Sequence, residues 1–208
     1  MSGPIAILHL DESCLGNGRE GENPGGGGGL IEVRSRSGKI ERRDVFLHEP
    51  ATTNNRMALK GATLALELLA RKGARFAALM VSDSQYLVKG MREWVPVWKA
   101  RGWTRKGGPI ENLELWKALD VARRKHDVQW AWLRGHQRHP KNEYADWLAV
   151  RAAREQRSTD GAVDSEFDEW LADAQEKGLY AGYDPDAGFT QLEARVAAGE
   201  EVPLVLVE

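Results

Sequence analysis

Three aspartates far apart in the chain, Asp11, Asp83 and Asp146, are of the type and in the setting that could do chemistry. Asp11 closes the short apolar run Pro4 to Asp11, and Asp83 closes the run Arg75 to Asp83. Both therefore stand at the carboxyl ends of expected strands, the edge of an open α/β sheet where sites form. Asp146 lies on the last helix of the main body, a few residues after His136 and His139. Carboxylates converging on one edge repel one another unless a positive charge sits between them. Mg²⁺ is the natural occupant, since it takes oxygen ligands and keeps waters for a substrate phosphate. Two such ions can bracket a phosphodiester, one activating water and the other steadying the leaving oxygen. Any one of these aspartates alone is explained as well by a solvated turn; the set is what points to a metal.

The elements that must position these residues follow from periodicity and punctuation. Pro4 to Asp11 reads as a buried strand. Gly16 to Gly29 is glycine-rich enough to predict a flexible loop, and it lacks the following Lys-Ser/Thr of a phosphate-binding P-loop. LIEVRSR and KIERRDVFLH flank Ser37-Gly38 and predict a hairpin. NNRMALKGATLALELLARKG predicts a helix capped by its asparagines and ended by Gly73. Arg75 to Asp83 is a continuous apolar run suited to a central strand. The helical stretch after it is interrupted at Gly90 and Pro96, which predicts short helices at an angle. NLELWKALDVARRKH is a further amphipathic helix, VQWAWLRGH a strand, and HPKNEYADWLAVRAAREQ a helix with Pro140 in its first turn. The order β-β-β-α-β-α-α-α-β-α predicts a mixed sheet with helices on both faces.

The texture changes after Gln156. RSTDGAVDS is linker-like, EFDEWLADAQEKGLY is a candidate short amphipathic helix carrying Phe167, Trp170 and Leu171, and VPLVLVE is a candidate final strand. Charge divides at the same place. Residues 1–155 hold 26 Lys/Arg against 18 Asp/Glu, whereas residues 156–208 hold 3 against 13. A basic body suits a polyanion ligand. The acidic segment suits docking on that basic face, simple packing, or recruitment of a partner. The single cysteine, Cys14, excludes an internal disulfide and fits a reducing compartment. With no signal-peptide pattern and no long uncharged apolar run, a cytoplasmic chain without a membrane partner is expected.

Five motifs in order, DESCLGN, TTNNRMALKG, SDSQYLVKGMREWVPVWKARGW, NLELWKALD and GHQRHPKNEYADWLA, together resemble ribonuclease HI, the type 1 ribonuclease H family. The resemblance runs from about Ile5 to Arg154. It implies a ribonuclease H-like α/β fold with a five-stranded mixed sheet flanked by helices on both faces. It also implies endonucleolytic hydrolysis of the RNA strand of RNA/DNA hybrids with two Mg²⁺ ions, Mn²⁺ being possible. On that pattern Asp11, Asp83 and Asp146 are the metal-binding carboxylates, and His136 is a mobile histidine that assists proton transfer or product release. Asn17, Asn54, Asn55 and Gln85 match positions that contact the hybrid near the scissile bond. Amides suit a 2′-hydroxyl because they both donate and accept; helix capping would explain Asn54 and Asn55 equally well. The stretch Lys89 to Lys106 resembles the family's basic protrusion, with Trp94, Lys99 and Arg101 as candidates for gripping the DNA strand. At least two of Trp94, Trp98 and Trp103 are expected to serve mainly as packing.

Two residues depart from this pattern. The family carries a Glu where this chain has Ala58, and Glu67 stands nine residues on, about 13 Å along the helix axis and too far to substitute. The family's usual Gly after the first Asp is Glu12 here. A regular strand would turn Glu12 away from Asp11, but a strand ending there would let Glu12 enter the site as a replacement ligand. Three readings stay open: Glu12 compensates and activity is retained; a laboratory change to Ala58 has disarmed the site; or the chain is a hybrid-binding protein that cleaves poorly or not at all. Residues 1–155 are expected to form the catalytic domain and 156–208 an acidic extension, in a monomer with no organic cofactor.

Overall fold

The computed structural model describes residues 3–16, 23–71, 73–135 and 139–206. Its centre is a hairpin-led sheet built from β1 (Ile5–Cys14), β2 (Gly25–Arg34), β3 (Ile40–Glu49), β4 (Ala77–Ser82) and β5 (Asp127–Leu133). The strand order is β6-β3-β2-β1-β4-β5-β7, where β6 is Val163–Asp164 and β7 is Val205–Leu206. β1, β2 and β3 pair antiparallel, while β4, β5 and β7 run parallel to β1. The mixed sheet agrees with the sequence, but its count does not: among the described residues it has seven strands rather than five. Both additional strands are two-residue pieces from the segment after Gln156, one on each edge. Edge strands expose unpaired backbone groups, and the C-terminal segment uses that opportunity at both ends of the sheet.

The expected glycine loop is also corrected. Gly25 to Gly29 is the first half of β2, hydrogen-bonded to β1 on one side and β3 on the other; residues 17–22 of that stretch lie outside the described residues. Glycine weakens an isolated strand through entropy, and here a double ladder offsets it. The reason for glycine is close approach. A Cβ on Gly26 would meet the Ala149 carbonyl oxygen at 2.0 Å, and one on Gly28 would meet that of Ala145 at 2.3 Å. Both oxygens belong to α5 (Pro140–Glu155), which therefore lies directly on the strand backbone. Gly25 would collide on the other face with Thr52 at 2.4 Å, just ahead of α1 (Asn54–Ala70).

The two faces bury separate cores. Ala6, Leu8, Leu10, Ala78 and Met80 pack under α1 and α4 (Leu113–Arg123). Between β4 and α4 lie α2 (Gln85–Lys89), a π-helical stretch Gly90–Trp94, and α3 (Val95–Ala100). The breaks expected at Gly90 and Pro96 are corrected: the three stretches run on without a gap, Gly90 opening the π-helical one and Pro96 lying in the first turn of α3. Glycine at 90 is a packing requirement, since a Cβ there would meet the Trp116 ring at 2.0 Å. On the opposite face Leu30 packs with Tyr144 and Leu148 of α5 and with Phe167 and Leu171 of α6 (Phe167–Glu176). Beside them Ile7, Leu79, Val81 and Ala131 pack with Phe189, Leu192 and Val196 of α7 (Pro185–Ala197), a helix the sequence pattern did not reveal. Among the described residues no helix is long and apolar enough to cross a membrane.

Candidate active site

The three strand-end and helix acids are brought to one edge, by a route that differs from expectation. β1 does not end at Asp11 but continues to Cys14. β4 does stop, at Ser82, and its pairing with β1 ends at Leu10. Beyond Leu10, β1 therefore has an open flank toward Asp83. Asp11 continues the face of Ile7 and His9, Glu12 that of Leu8 and Leu10, and both reach the gap where Asp83 stands. Carboxylate oxygens of Asp11, Glu12 and Asp83 lie within 4.8 Å of one another. Glu12 is thus turned into the site even though the strand has not ended. Asp11, Glu12, Asn54, Asp83, Asn142, Glu143 and Asp146 together line a cleft of about 220 Å³.

Local contacts fix these groups. Asp11 Oδ1 accepts from the Glu12 backbone N–H at 2.7 Å, and its Oδ2 accepts from Asn142 Nδ2 at 2.9 Å. The Trp132 indole donates to the Asp83 carbonyl oxygen at 2.9 Å. A Cβ on Gly135 would meet Asp83 Oδ2 at 2.4 Å, so a larger residue there would push that carboxylate out of its place. Asp146 lies one helical turn beyond Asn142, which puts both on the face of α5 that meets β1 and β2. The side-chain oxygens Asn54 Oδ1 and Asn142 Oδ1 are buried with no partner among the described residues, and both residues line the cleft.

The electrostatics point to a cation. Burial, then the charges of Asp83, Glu12 and Asp146, push the Asp11 carboxyl up to about 9. Burial and then Asp83 push Glu12 up to about 8, against a hydrogen bond from Ser84 that favours its ionised form. No Lys or Arg is among the described residues lining the cleft. A set of carboxylate oxygens that raise one another's proton affinity is a hard-donor site for a divalent cation. The residues present therefore fit the metal that the sequence implies.

Ala58 contributes no oxygen. It is 5% exposed, one helical turn after Asn54 on the same face of α1, and its methyl joins the apolar core. The other expected site residues divide into three groups. Asn17 and His136 lie outside the described residues. Asn54 lines the cleft, Asn55 is half-buried in the first turn of α1, and Gln85 is exposed at the start of α2 beside Asp83. Thr53, rather than either asparagine, caps α1. Trp94 helps line a second cleft of about 330 Å³ with Tyr86, Trp98, Arg105 and Glu111. Trp94, Trp98 and Trp103 are all half-buried against the core under α1. Lys99 pairs with Asp120 at 3.1 Å, and Arg101 is exposed. Arg92, one of the basic residues of the same stretch, instead donates to the Trp130 and Val202 carbonyls and to Glu201. Asn142 and Glu143 went unnoticed in the sequence. The spacing of Asn142 and Asp146, four residues apart on one helix, was the available signal.

Comparison with known proteins bears on this geometry. The RNase H family profile matches residues 4–154. Ribonuclease HI of Caulobacter vibrioides is 42% identical over 153 residues, which span 73% of this chain and 95% of the relative. Ribonuclease H of Aromatoleum aromaticum is 46% identical over 157 residues, 75% of this chain and 95% of that protein. The crystal structure of LC9-RNase H1, described as a type 1 RNase H with the type 2 active-site motif, superposes with a TM-score of 0.80 at 42% identity. That match covers 100% of this chain and 98% of the other, so it extends through the C-terminal segment. With its acidic edge, its strand order and a family match across the whole sheet-forming body, this chain belongs to the type 1 ribonuclease H, or ribonuclease HI, family, with an atypical active site.

Proposed function

We propose that this chain is a metal-dependent nuclease that recognises RNA/DNA hybrids and cuts their RNA strand, with a cleavage step weakened by the missing carboxylate at Ala58. The observation that carries this reading is the cluster of Asp11, Glu12 and Asp83, with ligand atoms within 4.8 Å of one another and Asp146 lining the same cleft. Two bound Mg²⁺ or Mn²⁺ ions would supply an activated water and positive charge beside the leaving oxygen. Asp11 would be the shared ligand: the charges of Asp83, Glu12 and Asp146 all bear on it, and hydrogen bonds to both of its oxygens hold its carboxylate in place. Glu12 would offer oxygens in place of those lost at Ala58, and Asp83 and Asp146 would complete the ligand set. His136 assists proton transfer or product release. The Oδ1 of Asn54, which has no partner among the described residues, suits a 2′-hydroxyl donor. Asn17, Asn55 and Gln85 extend those contacts along the hybrid, and Trp94, Lys99 and Arg101 hold the DNA strand. Contacts of this kind read the backbone, so sequence preference is low. The products are 3′-hydroxyl and 5′-phosphate ends. The protein works as a cytoplasmic monomer, with residues 1–155 as the catalytic domain and 156–208 as an acidic extension.

A second reading, a hybrid-binding protein that does not cleave, is favoured by one observation: the cluster that can share an ion holds three acids, and Ala58 adds none. Hybrid cleavage and hybrid affinity of the chain, of Glu12→Ala and of Ala58→Glu separate the two. Slow cleavage by the chain, a further loss of roughly 10–100-fold or more in Glu12→Ala, and a gain in Ala58→Glu support the nuclease. Undiminished affinity with no cleavage by the chain leaves the binding protein standing.

A further inference from the structure

Two residues just ahead of Asn142, His139 and Lys141, are held by a part of the chain that lies beyond the body matched by the family. Lys141 is 1% exposed, and its ammonium donates to Glu32 Oε2 at 2.7 Å and to the Pro185 carbonyl oxygen at 3.0 Å. Glu32, fully buried on β2, also accepts from Arg42, whose remaining nitrogens reach Asp168 of α6 and Asp186 of α7. His139 accepts from the Asn142 backbone N–H and so caps α5. Its ring stacks on His9 of β1 at 5.3 Å, and Tyr183 meets it edge-on at 6.4 Å. The corner that supplies Tyr183, Pro185 and Asp186 is itself anchored, since Asp184 accepts from the backbone N–H groups of Asp186 and Ala187. Asn142, which follows these two points in the first turn of α5, donates to Asp11 Oδ2.

We propose that the C-terminal corner at Tyr183 to Asp186 is a positioning element for the metal site, acting through Lys141 and His139 to set the Asn142 amide against Asp11. Lys141 and Tyr183 are positioning residues in this arrangement: each holds the first turn of α5, and Asn142 is what touches the acid. A buried ammonium bonded at two fixed points allows that turn little rotation or translation. The amide hydrogen bond in turn fixes which Asp11 lone pairs face the cleft. The segment after Gln156 is then part of the active-site scaffold, in addition to covering the sheet. The inference rests on the metal-site reading above, and Mn²⁺ affinity tests it without requiring cleavage.

The test is a double-mutant cycle on the full chain, read by calorimetric titration with Mn²⁺. Lys141→Met keeps an unbranched side chain, one atom shorter, and removes its charge, and Asn142→Ala removes the amide. Each single change is expected to weaken Mn²⁺ binding about 10-fold, the scale seen when an outer partner of a metal ligand is lost. In the Asn142→Ala background, Lys141→Met should weaken it no further. Tyr183→Leu, at a half-exposed site, should weaken Mn²⁺ binding several-fold and show the same non-additivity, and it replaces Lys141→Met in the cycle if that variant does not fold. Unchanged Mn²⁺ affinity in the single variants, or losses that simply add, would overturn the proposal and leave the corner a packing element. Absence of Mn²⁺ binding in the unaltered chain would instead overturn the metal-site reading beneath it.

Discussion

Glu32 and Glu12 sit on adjacent central strands, each sheltered between sheet and helix, and their surroundings are opposite. Glu32 is fully buried and meets two cations, Lys141 at 2.7 Å and Arg42 at 3.0 Å. Glu12 meets Asp83 and a hydrogen bond from Ser84, and it is pushed up to about 8 by burial and by Asp83. Asp120 sides with Glu32: burial pushes it up, yet Lys99, Arg123 and Arg124 hold it below the ordinary range. At Glu32 and Asp120 the chain thus supplies its own counter-charges, and buried Asp44 is met instead by the Tyr144 and Ser165 hydroxyls and the Glu166 N–H. By contrast, no Lys or Arg is among the described residues that line the cleft with Asp11, Glu12, Asp83 and Asp146. A sheltered acid with its cation built in is structural, and one left among other acids is set up for a cation from solution.

Breaking each side of this contrast should give unlike results. The largest effect belongs to Asp11→Asn, which should reduce single-turnover hybrid cleavage by at least roughly 10²–10³-fold, the scale of losing one preorganised transition-state contact. Affinity for the hybrid should hold or tighten, since a negative charge facing phosphate is removed. On the structural side, Glu32→Ala strands the Lys141 ammonium and should cost about 3–5 kcal/mol in urea unfolding with an unchanged m-value.

Gly28→Ala links the two sides. Its methyl would meet Ala145 O at 2.3 Å and Ala149 N at 2.6 Å. Lifting α5 should cost about 1–3 kcal/mol and weaken Mn²⁺ binding, because Asn142 and Asp146 ride on that helix.

The smallest effect has the opposite sign. In chelator, Glu12→Gln should stabilise the fold by about 1 kcal/mol, a figure kept low because Glu12 is only half-buried, and should raise Tm by about 2–4 °C. The pH dependence follows from the same shift. The Glu12 carboxyl moves from its ordinary 4.5 up to about 8 in the fold, so between those values the native state keeps a proton that the unfolded chain has released. Stability of the chelated protein should therefore fall as pH rises through that window and flatten above about pH 9, where Asp11 has also ionised. The slope should be shallower in Glu12→Gln, and scanning calorimetry at several pH values measures it.

How far the sequence reaches depends on whether the controlling contacts are local. The order of strands and helices up to α5, the amphipathic helix at Phe167 and the strand-linked aspartates follow from periodicity and turn residues, which act over a few positions. Motif spacing carried the family and the absence of a carboxylate at Ala58 for the same reason. Four features needed the folded chain. Gly25 to Gly29 becomes a strand because two neighbouring strands and two close-packed helices make glycine the residue that fits, a condition invisible in composition. Among the described residues the strand count rises to seven because short pieces from beyond Gln156 return to both sheet edges. Glu12 enters the cleft because β4 stops short of it, a matter of register between strands some seventy residues apart. Lys141 reads as a surface lysine on a helix, yet it is buried against Glu32 and Pro185. Short-range preference sets what each segment becomes, while pairing and burial between distant segments decide which side chains meet and therefore what the edge can hold.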